Sequence, residues 1–153
     1  MTEDGIAVLK FFSFADNSMP DIVYKHFDQL AKAKAYIIDV RGNTGGNSVN
    51  GHQIAAMFIE GDFVDAMKAN TDAVFIGSNT AGSSGQPLFI SLESGGSFRI
   101  CTMRCLAQNG EDIYNKGFSP DIRVERSLAD YIEGRDPALE KAIAVLKEKA
   151  GVH

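Results

Sequence analysis

Two short apolar runs constrain this chain most: GIAVLKFF at residues 5–12 and YIIDV at residues 36–40, with a helical pattern between them. Each run is too short to span a membrane and too continuously apolar for a strand with one wet face, so each reads as a buried strand. Between them, Pro20 and Asp21 open a segment with Ile22, Val23, Phe27, Leu30 and Ala31 at helical spacing, closed by Lys32 and Lys34. Proline fits the first turn of a helix and cations fit the last. Strand, helix, strand with a crossover of this length is a right-handed βαβ unit and predicts parallel pairing.

The pattern continues beyond residue 40. A Gly- and Asn-rich loop at residues 41–50 leads to a helical pattern at 53–59, a second amphipathic stretch covers 62–69, and AVFIG at 73–77 reads as a third buried strand. The sheet is therefore expected to grow by repetition. Its character then changes. Residues 88–92 and 98–104 flank Glu93-Ser94-Gly95-Gly96-Ser97, which is hairpin chemistry, so the sheet is expected to turn antiparallel. A short strand at 122–124 and a short helix at 127–133 follow. Asp136 and Pro137 then supply an N-cap and a first-turn proline for a final helix with an apolar face of Leu139, Ile143, Val145 and Leu146.

Length and composition bound the function. The 153 residues suit one packed domain spanning 1–153, and 44% hydrophobic with 23% charged residues is the balance of a globular chain rather than a disordered one. Fifteen Lys and Arg against 20 Asp and Glu, a net charge of −5, argue against nucleic acid or a membrane surface as a partner. The start, Met-Thr-Glu-Asp-Gly, lacks the basic and apolar regions of a signal peptide, so the chain itself leaves the compartment unread. Cys101 and Cys105 lie on one predicted strand, roughly 13 Å apart, too far to bridge. His26, His52 and His153 stand alone, so neither metal nor cofactor is expected.

Three runs could carry chemistry. Asp39-Val-Arg-Gly-Asn-Thr-Gly-Gly46 joins a buried strand to a helix, where glycines can free backbone N–H groups for an anion or oxyanion. It has neither the Gly-Lys-Ser/Thr ending nor the GxGxxG spacing of a nucleotide loop. The residues alone leave open a tight turn in which Asp39 and Arg41 pair with neighbours. Gly77-Ser-Asn-Thr-Ala-Gly-Ser-Ser-Gly-Gln-Pro87 also follows a buried strand and reads equally as a site wall or a surface loop. Gly117-Phe-Ser-Pro-Asp-Ile122 reads as structural, its proline fixing the backbone beside a strand.

Taken in order, these runs resemble the motifs of carboxyl-terminal processing (tail-specific) serine peptidases. IIDVRGNTGGNS is similar to their "(I/L)xDxRxNxGG" strand and loop, GSNTAGSSGQPLFISL to "GxxTxGxxxQ", and NGEDIYNKGFSPDI to "dGxxxxxxGxxPDI". GIAVLKFFSF resembles the first core strand, "iGYixixsF", and GRDPALEKAIAVLK the closing "GxDxxLexAlxxL" helix. Bacterial members with a "TxGSxGQP" loop and a "CTxR" strand, here Cys101-Thr-Met-Arg104, are the nearest in pattern. The resemblance implies an α/β fold of the ClpP/crotonase kind, with a mixed sheet of βα units and a C-terminal helix, and peptide hydrolysis through an acyl-enzyme. It implies oxyanion-hole amides at Gly45 and Gly46, each such donor being worth roughly 3 kcal/mol to the transition state. Thr80, Ser83, Ser84 and Gln86 would line the substrate, and residues 88–92 would bond an extended peptide. The partner implied is a peptide or protein tail, and the location a cell envelope or the outside of the cell. The peptide-reading PDZ domain of many members is not expected here.

The resemblance breaks at the nucleophile. The family's serine lies in "xSAxxE" before the GxxTxG strand, and here that place falls near Phe58, which cannot attack a carbonyl. The lysine base of Ser-Lys members falls at Ser83, and Lys68 reads as solvated. Ser48, Ser83 and Ser84 have no base identifiable beside them. A segment near residues 57–61 is therefore expected to be missing, leaving an inactive peptidase core. The alternative is a non-catalytic module on the same fold that holds a peptide tail or self-associates through an exposed sheet edge.

Overall fold

β1 (Ile6–Lys10) and β2 (Ala35–Asp39) pair in parallel, with Ile6 opposite Ala35 and Lys10 opposite Asp39, as the βαβ pattern requires. This is a computed structural model, and it describes residues 1–58, 72–83, 85–107 and 109–150. Two units divide the chain: residues 1–74 with 125–153, and residues 75–124.

In the first unit the crossover is broken into α1 (Met19–Lys25) and α2 (Phe27–Leu30) at His26, whose backbone (φ −97°, ψ 5°) leaves the helical range. A continuous helix over 20–34 would rise roughly 22 Å, more than the roughly 17 Å of the five-residue strand it runs back along. The break takes up the excess, and the Tyr36 hydroxyl donates to the Leu30 carbonyl at 2.8 Å. α3 (Ser48–Ala56) starts earlier than the apolar spacing predicts, because Asn47 caps it by accepting the Val49 N–H at 3.0 Å. Phe11, Val23 and Ile54 form the core, flanked by Leu9, Phe14, Met19, Leu30, Ile38, Met57 and Phe58. Ile54 is 2% exposed, and full burial of such a side chain is worth about 1.5–3 kcal/mol.

α4 (Leu128–Ile132) opens on a reciprocal capping box between Ser127 and Asp130. α5 (Pro137–Ala150) is the predicted final helix: Pro137 fills its first position, Asp136 accepts the Leu139 N–H at 3.1 Å, and it packs on β2.

In the second unit β3 (Ile76–Gly77) pairs in parallel with β6 (Ile122–Arg123), and β4 (Pro87–Ser91) antiparallel with β5 (Ser97–Cys101). The hairpin is the predicted one, closed through Gly95 at φ +85°. Its second strand ends at Cys101, so Cys105 lies beyond it, and both cysteines are free. The strand expected to extend β1 and β2 bonds instead to β6. Phe75 explains the choice, for its N–H donates to the Asp121 carboxylate and its carbonyl accepts the Asp121 and Ile122 N–H groups. The helix read at 62–69 lies outside the described residues. No helix among the described residues is long and apolar enough to cross a membrane.

Candidate functional site

The loop after β2 is held from below by the chain that follows β1. Asn43 N–H donates to the Val40 carbonyl, Thr44 N–H to the Phe12 carbonyl, and Asn47 N–H to the Phe14 carbonyl. The three asparagines of the loop also act through their side chains. Asn43 Nδ2 donates to the Phe11 carbonyl at 2.8 Å, Asn47 caps α3, and the buried Asn50 carboxamide donates to the Phe14 and Asp16 carbonyls and to Asn17 Oδ1. A buried amide without such partners would cost on the order of 1–3 kcal/mol, and the Asn50 side chain avoids that cost.

Asp39 and Arg41 pair with each other, as the tight-turn reading of the sequence allowed. The Arg41 guanidinium forks onto both Asp39 oxygens (2.8 and 2.7 Å) and both Asp136 oxygens (2.6 and 2.8 Å). It holds the mostly buried Asp39 carboxyl below the usual carboxylate range and pulls Asp136 down to about 2. The two carboxylates raise the guanidinium in turn. With four of its five N–H donors on these two carboxylates, Arg41 ties the loop to the start of α5.

The two glycines differ. Gly45 (φ +84°) donates its N–H to Asn43 Oδ1 at 2.8 Å, and its carbonyl accepts from Phe14 N–H at 2.8 Å and Ser13 Oγ at 3.1 Å. Gly46 (φ +139°) presses against the backbone of Phe14 and Ala15, where a Cβ would overlap the Ala15 nitrogen. Its own N–H has no acceptor among the described residues.

The second unit holds the other predicted residues. The loop at 79–83 is laced to 113–118: Thr80 N–H donates to the Phe118 carbonyl, Phe118 N–H to Thr80 Oγ1 at 2.8 Å, and Asn115 N–H to the Gly82 carbonyl. Gly82 and Gly117 sit at positive φ with backbone so near that neither tolerates a Cβ. Thr80 Oγ1 thus acts as an acceptor in fastening the loop. Ser83 and Gln86 are exposed; the Gln86 carbonyl accepts from Thr102 Oγ1 at 2.7 Å. Ser84 lies outside the described residues. Gly45 and Gly46 belong to one unit and Thr80, Ser83 and Gln86 to the other.

The family model for peptidase family S41 matches residues 5–65 and again residues 61–124, far more than half of the chain. The chain belongs to this family. The family agrees with the carboxyl-terminal processing peptidases that the ordered motifs resemble. Among solved structures, this S41 domain is similar to a candidate peptidase from Parabacteroides merdae, with a TM-score of 0.79 and 23% identity over 95% of this chain and 62% of that one. It is similar also to the photosystem II D1 C-terminal processing protease, with a TM-score of 0.65 and 17% identity over 78% of this chain and 42% of that one. At these identities the likeness is one of fold, and it agrees with the mixed α/β architecture and closing helix expected from sequence. The S41 domain spans less than two thirds of either structure. No curated protein matches it.

At the place expected for the S41 nucleophile, Phe58 packs edge-on against Tyr36 with ring centroids 5.2 Å apart, in the flank of the core. Neither Ser48 nor Ser83 bonds to a histidine, lysine or carboxylate among the described residues. Lys68 lies outside them. Sequence reading missed Ser13 and the second role of Asp136, because each acts on a partner far along the chain, 32 and 95 residues away. The small "s" of the first-strand pattern was the one available signal for Ser13.

Proposed function

We propose that this chain is a serine-type peptidase core that keeps the oxyanion side of the S41 site, lacks the segment bearing the nucleophile, and engages a peptide tail without hydrolysing it. The break in the family match carries this reading. An inserted segment would separate the two matched stretches, whereas these overlap at residues 61–65. A match that stops and restarts at one place is what loss of an internal segment produces. Phe58 supports the same reading, since it fills core space where an attacking hydroxyl would be needed. The unengaged Gly46 N–H is suited to a peptide carbonyl or carboxylate.

The test is a fluorogenic peptide with a free carboxyl terminus, followed by a fluorophosphonate probe and mass spectrometry. We expect no turnover above the buffer rate and no labelled serine, with binding of the same peptide detectable by calorimetry. Turnover accompanied by a label on any serine would sink the claim that the nucleophile is absent.

Self-association is a second reading, favoured by the β4 and β5 hairpin. Leu88 opposite Ile100 and Ile90 opposite Phe98 place four apolar side chains on one face, and Leu88, Phe98 and Ile100 are about half exposed. A two-stranded ribbon is marginal alone, so a second copy pairing along this hairpin would give it a partner. Light scattering at rising concentration decides: a strict monomer removes this reading.

A further inference from the structure

We propose that Ser13 and Asn43 are positioning residues that latch the Gly45–Gly46 peptide in one orientation and so decide which of two adjacent glycine amides a ligand meets. This rests on the reading that the loop engages a peptide, but its geometry stands apart from the ligand. A peptide unit is planar and trans, so the carbonyl of Gly45 and the N–H of Gly46 point in opposite directions across one plane. The Gly45 carbonyl faces the 13–14 backbone, where it accepts from Phe14 N–H at 2.8 Å and Ser13 Oγ at 3.1 Å. The Gly46 N–H therefore points away from that bed, and it finds no acceptor among the described residues.

Asn43 fixes the preceding peptide. Its Oδ1 accepts the Gly45 N–H at 2.8 Å while its Nδ2 donates to the Phe11 carbonyl at 2.8 Å. The carboxamide has one orientation that satisfies both, because reversing it sets oxygen against carbonyl and NH2 against N–H. Gly45 is consequently removed as a donor and Gly46 left as the one on offer. Two glycines at positive φ could otherwise flip their shared peptide easily, since neither has a Cβ to resist. A flip from the observed state forfeits both bonds to the Gly45 carbonyl. Ser13 is itself held, for its Oγ accepts the Ala15 N–H at 3.1 Å.

Site-specific amide exchange on the 15N-labelled full chain tests this, with an alanine-rich peptide ending in a free carboxylate as the probe and its amidated twin as control. In the unsubstituted protein, Gly45 should be protected and Gly46 should exchange freely. Added peptide should shift the Gly46 resonance and leave that of Gly45. Asn43→Ala should speed Gly45 exchange about tenfold, the size of one ordinary hydrogen bond, and weaken the peptide-induced shift at Gly46. Asn43→Asp keeps an acceptor for Gly45 N–H and should restore its protection. Ser13→Ala should leave Gly45 protected yet weaken the Gly46 response. Equal exchange at the two glycines in the unsubstituted protein, or unchanged Gly45 protection in Asn43→Ala, overturns the proposal. The first of these needs no variant to fold. If exchange behaves as expected but no peptide shifts Gly46, the latch stands and the peptide-binding reading fails.

Discussion

The chain carries two glycine-rich loops, each following a parallel-paired strand, and they are fastened differently. The loop at 41–47 is held by backbone bonds to residues 12–14 and by many side chains. Asn43, Asn47, Asn50, Ser13 and the Asp39, Arg41 and Asp136 network all fasten it, and the N–H groups of Gly42 and Gly46 are left without an acceptor among the described residues. At 79–83 the fastening to residues 113–118 is shared between backbone bonds and the side chains of Asn79 and Thr80, and exposed side chains such as Ser83 are left over. A rigid loop that presents an amide suits a developing or fixed negative charge, where preorganised donors act without reorganisation. A laced loop that presents small polar side chains suits contact along an extended chain. Similar composition thus gives two kinds of surface, and the difference lies in which groups the fold consumes.

The comparison is broken most severely at the glycines that permit each close approach. Gly117→Ala would drive a methyl into the Thr80 carbonyl at φ +68°, and Gly46→Ala would drive one into the Ala15 nitrogen at φ +139°. Overpacking and positive φ each cost on the order of 1–3 kcal/mol, so each variant should lose roughly 3–5 kcal/mol. Gly95→Ala, also at positive φ but with open space around the position, should lose roughly 1–2 kcal/mol. Urea denaturation of the three variants orders them. If Gly46→Ala is no worse than Gly95→Ala, the close packing of the 41–47 loop on its bed is not real.

Asp136 ranks next, since it serves two elements at once. Asp136→Ala removes the cap of α5 and half of the Arg41 fork, and should cost about 2 kcal/mol. Asp136→Asn keeps an acceptor for Leu139 N–H and should cost about half as much. The same network predicts an acid response. Both Asp39 and Asp136 are lowered in the folded state, first by the Arg41 hydrogen bonds. A depressed folded value means that the stabilisation is complete above the unfolded carboxylate value of about 3.9. It is then lost as pH falls toward about 2, the folded value of Asp136. Denaturant midpoints should fall across that window, and the fall should shrink in Asp136→Asn. An equal fall in both proteins would assign the acid response to other carboxylates.

What the sequence disclosed follows from the range of each signal. β1, β2 and α5 were legible because apolar runs, a proline and a capping Asp136 act within a few residues. The partner of the strand at 73–77 was not, because the choice between β2 and β6 turns on Asp121, 46 residues from Phe75. The start of α3 was not legible, since Asn47 reads as one more loop asparagine, although its side-chain Oδ1 accepts the Val49 N–H. The motifs located both loops correctly, yet could not say that Gly45 is occupied and Gly46 free. That distinction depends on Ser13 and Phe11, which reach the loop only after the parallel pair has formed. The bond between Thr80 and Phe118 was illegible for the same reason, the two lying 38 residues apart.

Thr80 gives the smallest and most discriminating prediction. If its hydroxyl serves only to lace the loop, Thr80→Ser, which keeps the acceptor for Phe118 N–H, should be within about 0.5 kcal/mol of the parent. Thr80→Val, which keeps the shape but offers no acceptor, should lose about 1 kcal/mol. Exchange of the Phe118 amide should rise in Thr80→Val and stay unchanged in Thr80→Ser. Peptide binding supplies the counter-test. A Thr80→Val protein that keeps its stability yet loses the peptide would make Thr80 a ligand contact after all. The 79–83 loop would then resemble the 41–47 loop, holding a group in reserve rather than spending it on its own lacing.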